Sequence, residues 1–475
     1  MPPFRLVILA SVQCLVVLCA PARDFAVQPR DNVVILGDSI TSDGTFGQMM
    51  QDLIDEKFPD HRVRVLARGS HGDTARGAYA RMELDVTRWR PDWVVLNFGV
   101  NDVGRFTTDE FLAHYERLIN RVLRDTRASI VIASPIFQYR DVENPRMLEY
   151  VEGLRALAVK YQLAYAPVYE ETKRLRSALP ADARYAVDGT HPNEIGHWIF
   201  AQTILGALQF PFSLQTRIVE MPARRTVKDQ GDALAGRRFT LDLPMPIEFV
   251  LTAPPPPEAE AVRAAKPVTI DGKFDEWNLG APALALGTPE QRSWGVVSWQ
   301  RDRHAAMAWF SWSEDALYFA IQVEDAQVRN DPETKNIVDR DCIELAIDAR
   351  DAAALAQNPH VSLTKRIPQV AQYILAPTVG AVPASVVVGL GDKTMAEEVA
   401  VASTITSAGY QIEVRIPAAR FAAGRLTKGD VIPVDVTTVN LDRGDRYLDN
   451  TSFRWTGSKW SAFNTREYGR LHLRD

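Results

Sequence analysis

Between Asn32 and Phe212 short apolar runs alternate with longer amphipathic ones. The apolar runs are Asn32–Leu36, Arg62–Ala67, Asp92–Gly99, Ser129–Pro135 and Leu163–Val168. Val94-Val95-Leu96 is apolar without alternation, as expected of a strand covered on both faces. Helical spacing fills the gaps, at Thr45–Lys57, Asp73–Trp89, Thr108–Arg124, Pro145–Tyr161 and Asn193–Leu208. This alternation predicts an α/β three-layer sandwich with a parallel sheet over 31–212. In such folds sites gather outside the carboxyl ends of the strands.

The period then changes. Arg238–Leu243 and Ile247–Leu251 alternate as short strands, followed by four consecutive prolines at 254–257. A proline run is stiff and extended, so 213–265 reads as a connecting segment and Pro-rich linker. From Lys266 onward strand-like runs follow one another without a long helix between them. They are Val268–Ile270, Ala305–Trp312, Ala316–Val323, Cys342–Ile347, Ala371–Leu375, Ser385–Val388, Gln411–Ile416, Val431–Val439 and Tyr468–Leu473. This predicts an all-β sandwich domain over 266–475.

Composition excludes several classes. Apolar residues are 46% and charged residues 24%, ordinary for a globular chain and wrong for a disordered or coiled-coil one. With 54 Lys+Arg against 60 Asp+Glu and no basic run, no nucleic-acid footprint exists. The His and Cys residues show no zinc-like spacing. Two of the three cysteines, Cys14 and Cys19, lie in an apolar run preceded by Arg5 and followed by Ala20-Pro21-Ala22. Residues 1–22 therefore read as a signal peptide, and the mature chain as secreted or periplasmic. The run is short for a membrane span, and none other approaches that length. After cleavage only Cys342 would remain, which leaves no internal disulfide.

Four sets of residues carry chemistry. The first strand ends in Gly37-Asp38-Ser39, where a serine at a strand-to-helix turn is exposed at the sheet edge. It can attack a carbonyl if a base takes its proton, or it can simply cap the helix. Asp188 and His191 stand three apart before the last helix, where a carboxylate can orient an imidazole. A helix-capping loop with an incidental histidine has the same spelling. Asn101, after the third strand, could donate to an oxyanion, and Gly72, after the second, could present a backbone N–H. Turns favour Gly, Asn and Asp in any case, so each alone says little. Together they fall at the carboxyl ends of three strands and in the final loop, where one crevice can hold them.

Gly37-Asp38-Ser39, Gly72, Gly99-x-Asn101-Asp102 and Asp188-x-x-His191 resemble the four blocks of the SGNH (GDSL-type) hydrolase superfamily, with Ile40 in place of leucine. The resemblance implies Ser39 as nucleophile, His191 as base and Asp188 as its orienter. It implies an oxyanion hole of the Ser39 N–H, the Gly72 N–H and the Asn101 side chain, and no cofactor or metal for catalysis. His71, Asp38, Asp73 and Asp102 read as loop structure and capping, and His197 as packed or solvated.

Val268–Trp277, Ala316–Asp325, Asp341–Asp348 and Tyr410–Pro417 resemble family 9 carbohydrate-binding modules. That resemblance implies a sandwich that stacks sugars on aromatic rings, with structural calcium in some members. Seven of the ten tryptophans lie in this half. Trp277 reads as core, and one of Trp309 and Trp312 as buried, because three residues on a strand separate opposite faces. Trp294, Trp299, Trp455 and Trp460 lie in loop-like sequence and are the candidate sugar ligands; Asp325, Asp341 and Asp348 are candidates for calcium. The combined expectation is a secreted serine esterase that removes O-acetyl groups from a polysaccharide. The alternatives are a lipid or small-ester hydrolase with a structural β-domain, and a non-catalytic glycan-binding protein.

Overall fold

The computed structural model describes residues 25–42, 44–138, 144–181, 183–186, 189–223, 234–288, 291–295, 304–330, 340–357, 367, 369–441, 450–457, 465 and 467–475. The signal-peptide reading of 1–22 lies outside them. The first unit is a five-stranded parallel sheet in the order β2-β1-β3-β4-β5. Its strands are β1 (Asn32–Gly37), β2 (Arg64–Gly69), β3 (Trp93–Asn97), β4 (Ser129–Ala133) and β5 (Ala164–Ala166). Both faces are buried, as the continuous apolar runs require. Val33, Ile35, Val65, Val95 and Val131 point to a core shared with α2 (Thr45–Lys57) and α8 (Glu194–Ala207). Val34, Leu36, Leu66, Val94 and Leu96 point to the opposite core under α5 (Thr108–Asp125) and α6 (Pro145–Tyr161).

The predicted helix Asp73–Trp89 is instead a chain of single turns: α3 (Ala75–Ala78), the 3-10 turn Tyr79–Arg81, α4 (Met82–Asp85) and the 3-10 turn Thr87–Trp89. Gly77 and β-branched Val86 and Thr87 weaken a continuous helix there. A further helix, α7 (Val168–Arg176), follows β5 directly.

The segment after Phe212 is not a connector. It forms a three-stranded sheet of β6 (Arg217–Pro222), β7 (Arg238–Leu241) and β8 (Ile247–Thr252), in the order β6-β8-β7. Met221, Leu241, Leu243, Met245, Ile247, Phe249 and Leu251 join the α2–α8 core. Buried Gln202 of α8 fixes this sheet: its Oε1 accepts from the Met245 N–H at 2.7 Å and its Nε2 donates to the Met245 carbonyl at 3.0 Å. The alternation within Ile247–Thr252 was legible, but its partner surface on α8 was not.

The β-domain starts earlier than expected. Immediately after the proline run, β9 (Glu258–Arg263) pairs parallel to both β21 (Gly469–Arg474) and β12 (His304–Ser313), joining the two halves of the sandwich. One half runs through β16 (Ser385–Leu390), β15 (Val370–Ala376), β14 (Cys342–Asp348), β19 (Val431–Leu441) and β21, the other through β12, β13 (Ala316–Asp325), β18 (Gly409–Pro417) and β17 (Ala400–Ile405), with antiparallel pairing throughout each half. Among the elements used below, β20 is Asn450–Arg454.

Trp309 and Trp312 do face opposite ways, and both are buried. Trp312 belongs to the inner core, whereas Trp309 packs with Phe274 and Trp277 outside it. That cover is the segment around Val268–Ile270, which is a latched loop and not a strand. Buried Glu413 of β18 accepts from the N–H groups of Asp271 (3.0 Å) and Gly272 (2.7 Å) and from Trp277 Nε1 (2.7 Å). Cys342 is buried and in no disulfide among the described residues.

Candidate active site

The chain leaves β1 toward β2 on one side and returns to β3 on the other. The crevice outside the carboxyl ends of β1 and β3 is therefore the topological switch point of the sheet. Ser39 sits there, in the first turn after β1, and is half-buried. The helix it opens, α1 (Ser39–Ser42), is a single turn, and α2 starts afresh after Gly44. Gly37 serves by size more than by backbone freedom: a Cβ there would lie 2.0 Å from Thr41 Oγ1 and 3.0 Å from the Asn97 carbonyl.

His191 arrives from the other end of the domain. Its turn is closed by an antiparallel bridge between Ala186 and Pro192 and by the Asn193 N–H donating to the Tyr185 carbonyl at 2.9 Å. The Asn193 side chain caps α8, accepting from Ile195 and Gly196, and donates to the Arg184 carbonyl at 2.7 Å. Gln138 Nε2 donates to Thr190 Oγ1 at 3.0 Å, joining this turn to the end of β4. The outcome is a contact across 152 residues of sequence: Ser39 Oγ lies 2.9 Å from His191 Nε2. A hydroxyl at that distance from an imidazole nitrogen can pass it a proton. Asp188 lies outside the described residues.

The second and third blocks, in the loops after β2 and β3, are tied to each other. Gly72 has φ +69°, a conformation that favours glycine. Its carbonyl accepts from Arg105 Nη1 at 3.0 Å. Asn101 Nδ2 donates to the Asp73 carbonyl at 3.0 Å, which engages one hydrogen of its amide and leaves the other. Asp102 is buried and caps both neighbouring segments: Oδ1 accepts from the Ala75 N–H at 3.0 Å, and Oδ2 from the Gly99 N–H at 3.1 Å. Asp38 is buried beside the nucleophile and accepts from the Ile40 N–H at 2.9 Å. The capping reading of these two aspartates agrees with those bonds.

Burial dominates their titration. Desolvation pushes Asp38 up to about 6, against the Ile40 N–H and the nearby His191, which favour the charged form. It pushes Asp102 up to about 7, against the two N–H donors and with Asp38 adding to the rise. His71 is exposed, and His197 is buried with its ring stacked on Phe46 at 6.2 Å. Sequence reasoning missed Arg81, which lies in the run read as one helix. A groove of about 880 Å³ between α6 and α7, lined by Leu148, Val151, Arg155, Tyr169 and Lys173, holds none of the candidate residues.

In the β-domain the sugar-site expectation needs correction at Trp455. It is 7% exposed, packed near Phe310 with centroids 6.3 Å apart, and its six-membered ring fills the space a Cβ on Gly469 would take. It extends the register of β20 into the core, so it is not a surface platform. Trp294 lies on the edge strand Arg292–Gly295, beside Ser452 of β20. Trp299 and Trp460 lie outside the described residues. Asp348 is bound to Arg350 at 2.6 Å, Asp325 Oδ1 accepts from the Gln327 N–H at 2.7 Å, and Asp341 accepts from the Arg329 N–H. Among the described residues no three His, Cys, Asp or Glu side chains converge.

Comparison with known proteins fits this division. The chain is 27% identical over 215 residues to an acetylxylan esterase of Geobacillus stearothermophilus, covering 38% of this chain and 94% of that one. Among solved structures, an α/β hydrolase enzyme from the metagenome of Lake Arreo, Spain, is similar at 24% identity and a TM-score of 0.37, covering 40% of this chain and all of that one. The acetylxylan esterase structure from Geobacillus stearothermophilus is similar at 23% identity and a TM-score of 0.36, covering 40% of this chain and 97% of that one. Residues 35–199 match the GDSL-like Lipase/Acylhydrolase family and residues 270–475 the Carbohydrate family 9 binding domain-like family, so the chain joins a GDSL-like hydrolase domain to a family 9 carbohydrate-binding-like domain.

Proposed function

We propose that this chain is an exported serine esterase that removes O-acetyl groups from a polysaccharide. The observation that carries the reading is the 2.9 Å contact between Ser39 Oγ and His191 Nε2 at the switch point of a GDSL-like domain. Ser39 Oγ attacks the ester carbonyl while His191 Nε2 takes its proton. The carbonyl oxygen becomes an oxyanion held by the Ser39 N–H, the Gly72 N–H and the second hydrogen of the Asn101 amide. His191 then protonates the leaving sugar hydroxyl, and acetyl-Ser39 remains. Water, deprotonated by His191, attacks that ester, and acetate leaves as the proton returns to Ser39. Asp188, three residues before His191, is assigned to orient the imidazole on the strength of the resemblance.

The acetyl group and the polysaccharide come from the acetylxylan esterase to which the domain is similar and from the carbohydrate-binding-like domain beside it. A domain that holds polymer raises the local concentration of ester near Ser39. Among the described residues no helix is long and apolar enough to cross a membrane. Acetate release from a panel of acetylated polysaccharides, with Ser39→Ala as control, tests the reading. Release by the wild type alone supports it. No release, with a small activated ester still cleaved, retains the serine chemistry and removes the polysaccharide.

A further inference from the structure

One guanidinium ties together the segments on which the proposed oxyanion site rests. Arg81 ends the 3-10 turn Tyr79–Arg81, and its side chain is 15% exposed. Its Nη2 donates to the carbonyl of Gly37 at 2.6 Å, two residues before Ser39. Its Nη1 donates to the carbonyl of Arg68, at the end of β2, at 3.1 Å, and to the carboxylate of Asp85. Its Nε donates to Asp73 Oδ2 at 2.7 Å. Asp73 follows Gly72 directly, and its own carbonyl receives Asn101 Nδ2. All but one of the guanidinium N–H groups are thereby committed to protein acceptors.

A continuous chain of contacts thus runs from the nucleophile turn through Arg81 and Asp73 to Asn101. It spans the ends of three strands. We propose that Arg81 is a positioning residue for ester hydrolysis at Ser39, setting the distance between the nucleophile turn and the two joined loops that carry Gly72 and Asn101. The inference rests on the esterase reading above. Oxyanion donors work because they are already in place when charge develops, and a misplacement of about 1 Å far from the chemistry can cost about 10²-fold. A planar fork with charge-assisted bonds suits that task better than a flexible ammonium does. Its positive charge also stands beside Asp73 and Asp85 and near Asp38, whose field would otherwise oppose a new anion.

The test uses the full chain with p-nitrophenyl acetate. Arg81→Met should lower kcat by about 10²-fold with KM within about threefold, and Arg81→Lys should remain about tenfold below wild type. In Arg81→Gly, millimolar guanidinium should restore part of kcat, which a general loss of stability would not allow. Labelling of Ser39 by a fluorophosphonate, whose product sets an oxygen in the same donor site, should slow in parallel. Wild-type kcat in Arg81→Lys and unslowed labelling in Arg81→Met would overturn the proposal. Thermal melts tell an unfolded variant from a misaligned one, and Arg81→Lys keeps the test decisive if Arg81→Met does not fold. A wild type no faster than Ser39→Ala would fail the esterase reading itself, a separate outcome.

Discussion

Asp102 holds the backbone N–H of Ala75 at 3.0 Å, and through that bond the loop after β2 is fastened to the loop after β3. The carboxylate that does so is buried, as is its neighbour Asp38. Their folded values, about 7 and about 6, stand above the ordinary 3.8. Each therefore binds its proton more tightly in the folded state. The stability each contributes is whole below about 3.8 and is lost as the pH rises through about 6 to 7.

Asp102→Asn should thus change the pH profile of stability as well as its level. The amide can accept from one of Ala75 and Gly99 but not both, a loss of about 1–3 kcal/mol. It cannot titrate, so the gap between wild type and variant should be widest near pH 4 and should narrow toward pH 8. Thermal melts of both proteins across that range measure it. A gap that stays constant would mean that Asp102 carries its charge throughout.

In the proposed mechanism Asn101 has two tasks on one amide, and Asn101→Ala removes both. The loss of an oxyanion donor costs about 10²–10³ in kcat. The loss of the Asp73 anchor should let the Gly72 loop shift as well. Asn101→Asp keeps the size of the side chain but offers acceptors to the Asp73 carbonyl and to the oxyanion, so it should be no better than alanine. Steady-state kinetics on p-nitrophenyl acetate decide it; a kcat within fivefold of wild type in both variants would remove Asn101 from the site.

Gln202 and Met245 make a prediction about architecture. In Gln202→Leu the N–H and carbonyl of Met245 stay buried without partners, which costs about 1–3 kcal/mol for each group. The sheet of β6, β7 and β8 should then separate from α8 before the hydrolase unfolds. Limited proteolysis should cut within 213–252 in the variant and leave the wild type intact. Identical digestion patterns would show that apolar contacts alone retain the sheet.

The sequence was read well where each chemical requirement is local. The apolar runs of β1 to β4 located the sheet because both of its faces are covered, and the helical spacing over Pro145–Tyr161 coincides with α6, which Asn144 caps. The four-block resemblance pointed to Ser39, Gly72, Asn101 and His191, and the structure brings Ser39 Oγ to His191 Nε2 and ties Asn101 to the Asp73 carbonyl beside Gly72. Arg81 was not legible, since its partners Gly37, Arg68 and Asp73 are set by tertiary contact. Trp455 misled for the same reason. Its flanking sequence resembles a loop, yet the absence of a side chain on Gly469 opens a slot for its ring. β9 escaped notice because Glu-Ala-Glu-Ala has weak strand propensity and is held by two parallel neighbours.

Glu413 offers the cleanest separation of the two domains. It is fully buried, and burial raises its carboxyl above the ordinary value, while three N–H groups favour its charge. Glu413→Ala would orphan the N–H groups of Asp271, Gly272 and Trp277, each at a cost of about 1–3 kcal/mol if it stayed buried. The loop should instead lift, exposing Trp309 and Phe274 to water. Calorimetry should then show a lower β-domain transition beside an unchanged hydrolase transition, with red-shifted tryptophan emission. Hydrolysis of p-nitrophenyl acetate should hold at the wild-type rate, because Ser39 and His191 draw on the α/β core alone. Action on acetylated polymer should fall as the β-domain loses its shape. Equal losses on both substrates would show that the sandwich supports the hydrolase, and the two units would have to be treated as one.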